Sequence, residues 1–144
     1  MQVATQRFCT FFLKEQFFGV PVGEVQEVIR SQEMTRVPLV PPLIRGLINL
    51  RGQIVMALDL RRRLRMEERP QDMLPVNIVV HTVEGPLSLL ADSIGDVVEV
   101  NQDTFEEPPL TLTGNMRQLI KGVHKLEGQL LHVLDAEKVC QIEQ

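Results

Sequence analysis

Three histidines, two cysteines and a scatter of carboxylates are the residues of this chain that could do covalent or acid–base chemistry. His81 and His132 stand inside apolar stretches, where an imidazole is more often packed than catalytic. Asp92 and Asp96 are four apart, but neither they nor His124 have a partner histidine nearby to complete a metal-ligand spacing. Ser31, Ser88 and Ser93 lack the setting of a nucleophile elbow. Gly46 and Gly52 read as hairpin glycines, not as a dinucleotide fingerprint, and there is no phosphate loop. Cys9 and Cys140 lie near opposite ends, read as free thiols, and are too few for structural zinc. The sequence therefore predicts no catalytic residue, no cofactor and no metal. A small hydrolase using Asp92 or His132 would need ester or phosphoester turnover that Asp92→Asn abolishes.

The remaining chemistry is recognition by charge. Arg61-Arg62-Arg63-Leu64-Arg65 is the densest basic run, read either as a solvated helix face or as a docking patch for an acidic partner. Arg51 sits at a hairpin tip, with Glu27 as its expected ion-pair partner. An exposed pair of this kind stabilises by roughly 0–1 kcal/mol, so it would shape a surface more than it would hold a fold. Net charge is −4. Residues 1–70 carry +4 and residues 71–144 carry −8, an asymmetry that suits head-to-tail assembly with similar modules. The acidic total and the absence of Trp and Tyr argue against a nucleic-acid binder. No apolar run approaches the roughly 20 residues that span a bilayer, and no signal-peptide layout opens the chain. The expectation is a cytoplasmic protein without direct membrane insertion.

The elements that must position these residues repeat. Residues 43–60 lie on 119–136 with a shift of 76, and eight of eighteen positions are identical, among them Gly46/Gly122, Gly52/Gly128 and Asp59/Asp135. This is an internal duplication. Each copy reads as a hairpin, with Arg51-Gly52 or Glu127-Gly128 at the turn. Asp59 is expected to cap a short helix over 60–65, and Asp135 precedes a helix over about 136–142. Residues 7–13 and 17–22 read as a strand pair, with Pro21 placing the second at an edge or at its end. Val22, Val25 and Ile29 have helical spacing, so one or two helical turns are expected there. Residues 94, 97 and 98 match 25, 28 and 29 with a shift of 69. Strand 53–58 is almost wholly apolar and is expected to be buried on both faces. Residues 66–74 form the boundary between the halves, and residues 101–117 a long loop. Each half of about 65 residues buries little core alone, so two small, mostly antiparallel barrels packed together are predicted.

On residues 17–29, 37–41, 44–55, 58–61, 89–98 and 120–135 the chain is similar to the CheW coupling proteins of bacterial chemotaxis. The Asn-Leu-Arg-Gly hairpin (49–52) is the specific motif. The resemblance implies a mainly β fold: two intertwined Src-homology-3-like five-stranded β-barrel subdomains with short helices. The first barrel would span approximately 14–66 and the second 75–134 of a single CheW-like domain, with terminal segments packing across. It implies a non-enzymatic adaptor that couples the cytoplasmic hairpin tips of chemoreceptors to the regulatory domain of the histidine kinase CheA. Receptor helices would lie against an apolar groove carried over to Val25, Val28 and Ile29, with Glu27, Asn49 and Arg51 nearby and Val97 and Val98 from the second half. A regulatory domain of a larger kinase, or an adaptor of a related motility or biofilm-type pathway, shares the same pattern. Ala91 and the basic run at 61–65 depart from the family.

Overall fold

The computed structural model describes residues 4–141. The aromatic N-terminal segment forms β1 (Thr5–Leu13), which returns as β2 (Gln16–Pro21). A 3-10 turn (Val22–Glu24) leads into β3 (Val25–Ile29). The proline-rich connector follows, then the hairpin of β4 (Ile44–Leu50) and β5 (Gln53–Asp59). Asp59 caps α1 (Leu60–Arg63), its carboxylate accepting the Arg61 N–H at 3.1 Å. The second copy holds β6 (Val76–Thr82), β7 (Gly85–Ala91), β8 (Ser93–Ile94) and β9 (Val98–Asn101). A second 3-10 turn (Gln102–Thr104), β10 (Phe105–Glu106) and α2 (Gly114–Leu119) come next. The chain closes with the hairpin of β11 (Ile120–Leu126) and β12 (Gln129–Leu134), and α3 (Ala136–Cys140).

The fold is mainly β, and its two sheets form two Src-homology-3-like subdomains. One sheet has the order β10-β11-β12-β2-β1-β8, with β9 also on β1; the other has the order β3-β6-β7-β5-β4. The copies are intertwined. The first copy's β1–β2 hairpin lies in the sheet of the second copy's β9–β12, and the second copy's β6–β7 hairpin lies with β3–β5. Residues 14–66 and 75–134 therefore each give strands to both sheets. The exchange obeys the duplication residue by residue. Val25 pairs with Val80, and Ile94, shifted by 69, pairs with Phe11. The shifts of 76 (Met56 to His132) and 69 (Leu87 to Phe18) together carry the parallel pair Met56–Leu87 onto His132–Phe18. Among the described residues, the largest buried cluster draws on both sheets, with Phe11, Leu13 and Phe18 from one and Leu58, Ile78 and Leu89 from the other. Smaller clusters fill each subdomain, one around Ile48 and Val79, the other around Phe8 and Leu131.

Three expectations change, and the two alternatives for Pro21 are decided. Residues 25–29 form a strand, not a helix. A bulge between Val25 and Glu27 brings Val25 and Val28, three apart, onto one face and turns Ile29 to the other, a spacing that imitates helical periodicity. Pro21 ends β2, but β2 is flanked by β1 and β12 and is not an edge. β5 is exposed at Ile54 and Met56 and becomes buried on both faces only from Ala57 onward. The 101–117 loop contains a 3-10 turn, a short strand and most of α2. Gly46 shows why one repeated glycine is required: a Cβ there would meet the Thr35 carbonyl oxygen at 2.6 Å, where Thr35 bridges Leu47. Its repeat mate Gly122 admits Phe105 and Glu106 of β10 in the same way.

Candidate functional site

The β4–β5 hairpin tip is a two-residue turn in which both central residues, Arg51 (φ 52°) and Gly52 (φ 87°), are left-handed. That is the twist of a type I′ turn, which matches the twist of the flanking strands. Asn49 Oδ1 accepts the Gly52 N–H at 2.9 Å and locks the tip. Arginine in this conformation carries a steric cost of about 1–2 kcal/mol that glycine would not. The equivalent Glu127 is not among the positive-φ residues; only Gly128 is, at 76°.

The strained turn projects Arg51, whose side chain is 84% exposed, toward β3. Arg51 Nη1 donates to Glu27 Oε2 at 3.2 Å, and Glu27 is mostly covered, at 18%. β3 and β4 are the two ends of the five-stranded sheet order, so this pair spans the gap where the barrel closes. Replacing Arg51 by glycine removes an exposed ion pair and relieves the backbone. The expected result is stability unchanged or raised within about 1 kcal/mol. Urea unfolding of both forms checks this, and a loss of more than about 2 kcal/mol would show the pair to be a structural clamp.

Val25 and Val28, beside Glu27 on β3, are half-buried and pack against the core shared by the two sheets. Ile29 packs instead into its own subdomain's cluster with Ile48 and Val79. Val98 does the equivalent in the other subdomain, beside Phe8 and Val100. Val97 is half exposed. The structure thus gathers Val25, Glu27, Val28, Asn49 and Arg51 at one sheet and leaves Val98 on the other, with Val97 in the segment just before it. Sequence reading missed the exposed face beside the tip. Leu47, Asn49, Ile54 and Met56 face one another across β4–β5, with Ile54 and Met56 open to solvent. The signal was the alternation Ile54, Met56 against Val55, Ala57, hidden because every residue from 54 to 58 is apolar.

Of the basic run, Arg61 and Arg63 are taken up inside the fold, while Arg62 pairs with Glu68 and Arg65 is exposed. Arg61 is buried and clamps Asp92, with Nε at 2.9 and 3.1 Å from its two oxygens and Nη2 also bonded. Arg69 Nε reaches the same carboxylate at 2.9 Å, and the Lys14 N–H donates to it at 2.7 Å. Burial alone would raise the Asp92 carboxyl; the hydrogen bonds from Arg61, the Lys14 N–H and Arg69 outweigh it and hold the group below the usual carboxylate range. Arg63 Nε and Nη2 donate to the carbonyls of Val139, Lys138 and Gln141, tying α1 to α3. Asp92 is thereby engaged by cations on both oxygens. His132 Nδ1–H donates to the Phe17 carbonyl at 2.9 Å. His124 Nδ1 lies 2.9 Å from Thr104 Oγ1, and burial lowers its pKa. Both cysteines are free and half-buried. No group of three His, Cys, Asp or Glu among the described residues could hold a metal ion. No helix among them is long and apolar enough to cross a membrane.

A CheW-like domain family model matches residues 7–144. The chemotaxis protein CheW of Treponema pallidum is 28% identical over 134 residues, covering 90% of this chain and 79% of that one. The chemotaxis protein CheW of Bacillus subtilis is 28% identical over 138 residues, covering 96% and 88%. Among solved structures, the scaffolding protein TtCheW from Thermoanaerobacter tengcongensis superposes with a TM-score of 0.88 at 24% identity, covering 97% of this chain and 95% of that one.

Proposed function

The chain belongs to the CheW-like domain family, and from that premise we propose that it is a non-enzymatic adaptor joining chemoreceptor cytoplasmic tips to the regulatory domain of the kinase CheA. One observation carries the reading: Arg51 is held out by a strained turn that the fold does not need, and it is paired with Glu27 beside half-buried Val25 and Val28. Strain kept at an exposed polar position has its reason outside the fold. A receptor helix laid along β3 would meet the valines with its apolar face and the ion pair with its polar edge. The Asn49-locked tip borders that surface, Ile29 packs on the opposite face of β3, and Val97 and Val98, from the second half, lie apart from it. The kinase domain would share the intertwined architecture and pack subdomain to subdomain.

Arg51→Glu places two carboxylates in the pair. The expected outcome is at least a tenfold loss of affinity for a receptor-tip fragment by calorimetry, about 1.4 kcal/mol, with the fold intact by circular dichroism. Unchanged binding of a folded variant would remove Arg51 from the interface. Wild-type binding to neither receptor tip nor kinase domain would remove the bridge.

A further inference from the structure

A groove of about 610 Å³ lies on the first subdomain, away from the hairpin tip. One wall is the proline-rich connector, with Val37, Val40, Pro41 and Pro42, and the facing wall is the inter-repeat linker, with Met73, Leu74 and Pro75. Neither Arg51 nor Glu27 lines it. In the sequence the first segment enters only through the family resemblance of residues 37–41 and the second only as the boundary between the halves, and neither is given a role.

The charges of the groove do not cancel. Arg36, Arg45, Arg62 and Arg69 line it against Asp59 and Glu68. Asp59 serves Arg69 at 3.5 Å and, loosely, Arg45 at 3.8 Å, and Glu68 serves Arg62. Arg36 is exposed and makes no ion pair among the described residues. Arg62 keeps its Nε–H buried without a hydrogen-bond partner, an arrangement that leaves a donor's desolvation uncompensated. Against these cations stand apolar groups that water serves poorly: Leu74 is 70% exposed and Met73 39%.

We propose that this groove docks an acidic, leucine-containing peptide segment of a partner protein. Carboxylates would answer Arg36 and Arg45, and an aliphatic side chain would cover Leu74 and Met73 between them. Four of the lining residues are prolines, Pro41, Pro42, Pro70 and Pro75. They offer no N–H with which to build a phosphate cradle, which disfavours a small oxyanion. They also hold the walls with little conformational freedom, so docking orders little of the receiving surface.

The test is a fluorescence-anisotropy series on the full chain with labelled peptides of about eight residues, long enough extended to span roughly 26 Å. Acidic content is graded at fixed leucine content, with leucine-to-serine and glutamate-to-lysine counterparts. Binding is expected to rise with acidic content, to need leucine, and to weaken as salt rises. Arg36→Glu with Arg45→Gln should lower affinity at least tenfold. Leu74→Glu, at an exposed position, should do the same by an independent route, and Arg51→Glu should leave it unchanged. Affinity indifferent to acidic content, or unaltered in both groove variants while they remain folded, would overturn the proposal. So would full competition by inorganic phosphate, which would make the groove a small-anion site. Self-association of the chain that the same substitutions abolish would assign it to a second copy instead.

Discussion

Asp92→Ala is expected to cost the fold about 3–5 kcal/mol, because it leaves Arg61 buried without a counter-charge and leaves Arg69 with Asp59 alone. The Arg61 and Asp92 side chains are 4% and 8% exposed, so solvent cannot take over the lost partner. For a chain of this size that lowers the melting temperature by about 10 °C or more. The carboxylate is a junction. It receives α1 through Arg61, the inter-repeat linker through Arg69 and the β1–β2 turn through the Lys14 N–H. Losing it loosens three segments that belong to both subdomains. A double-mutant cycle with Arg61→Ala should show the two losses to be strongly non-additive, with coupling above about 1 kcal/mol. A cost below about 1 kcal/mol for Asp92→Ala alone would show the network to be incidental.

The same carboxylate gives a pH signature. Its folded-state pKa is depressed, so the unfolded chain takes up its proton first as pH falls. The stabilisation is fully present above the unfolded value of about 3.9 and is lost as pH drops through the folded value. Wild type should therefore lose stability more steeply below about pH 4 than Asp92→Asn does. Urea midpoints across that range would measure the difference, and parallel curves would exclude Asp92 as the titrating group.

Phe18→Ala is expected to cost a further 3–5 kcal/mol, the usual loss for emptying a buried phenylalanine site. Phe18 is fully buried, stacked on Phe11 at 5.8 Å between ring centroids and tilted against His132 at 5.2 Å. Its position makes the form of the loss informative. β2 belongs by sequence to the first copy and by pairing to the second copy's sheet, and Phe18 packs into the cluster that both sheets share. Unfolding should therefore stay a single cooperative transition, shifted as a whole and reported alike by calorimetry and by circular dichroism. A variant in which one subdomain melts and the other persists would contradict the shared core.

The hairpins, the caps and the duplication were legible because each is written locally. Asn49 to Gly52 carries its own turn chemistry, Asp59 stands one residue before its helix, and the shifts of 69 and 76 survive as residue identities. The Glu27–Arg51 pair was legible through the motif. What was not legible depends on distant partners. Arg61 and Arg63 look like part of a solvated face until Asp92 and the carbonyls of 138–141 are brought to them by the fold. Val25 to Ile29 looked helical because a bulge adds a residue to the strand period, and nothing in five residues distinguishes that from a helical turn. The exchange of hairpins left no local trace either. Each hairpin offers the same alternation to either sheet, and the core they share exists only once both sheets are assembled.

That exchange sets the order in which the chain can finish folding as it is made. β2 runs parallel to β12, and Phe17 receives a hydrogen bond from His132, 115 positions later. The β1–β2 hairpin therefore leaves the ribosome with both flanks open, one until β8 and β9 are made and the other until β12 is. Throughout elongation it must hold Phe11, Phe17 and Phe18 without the surfaces that will cover them, the condition under which nascent chains draw chaperones or aggregate. A chain interrupted anywhere before Gln129 lacks β12 altogether. Such fragments are expected to accumulate as unfolded material rather than as a stable first half.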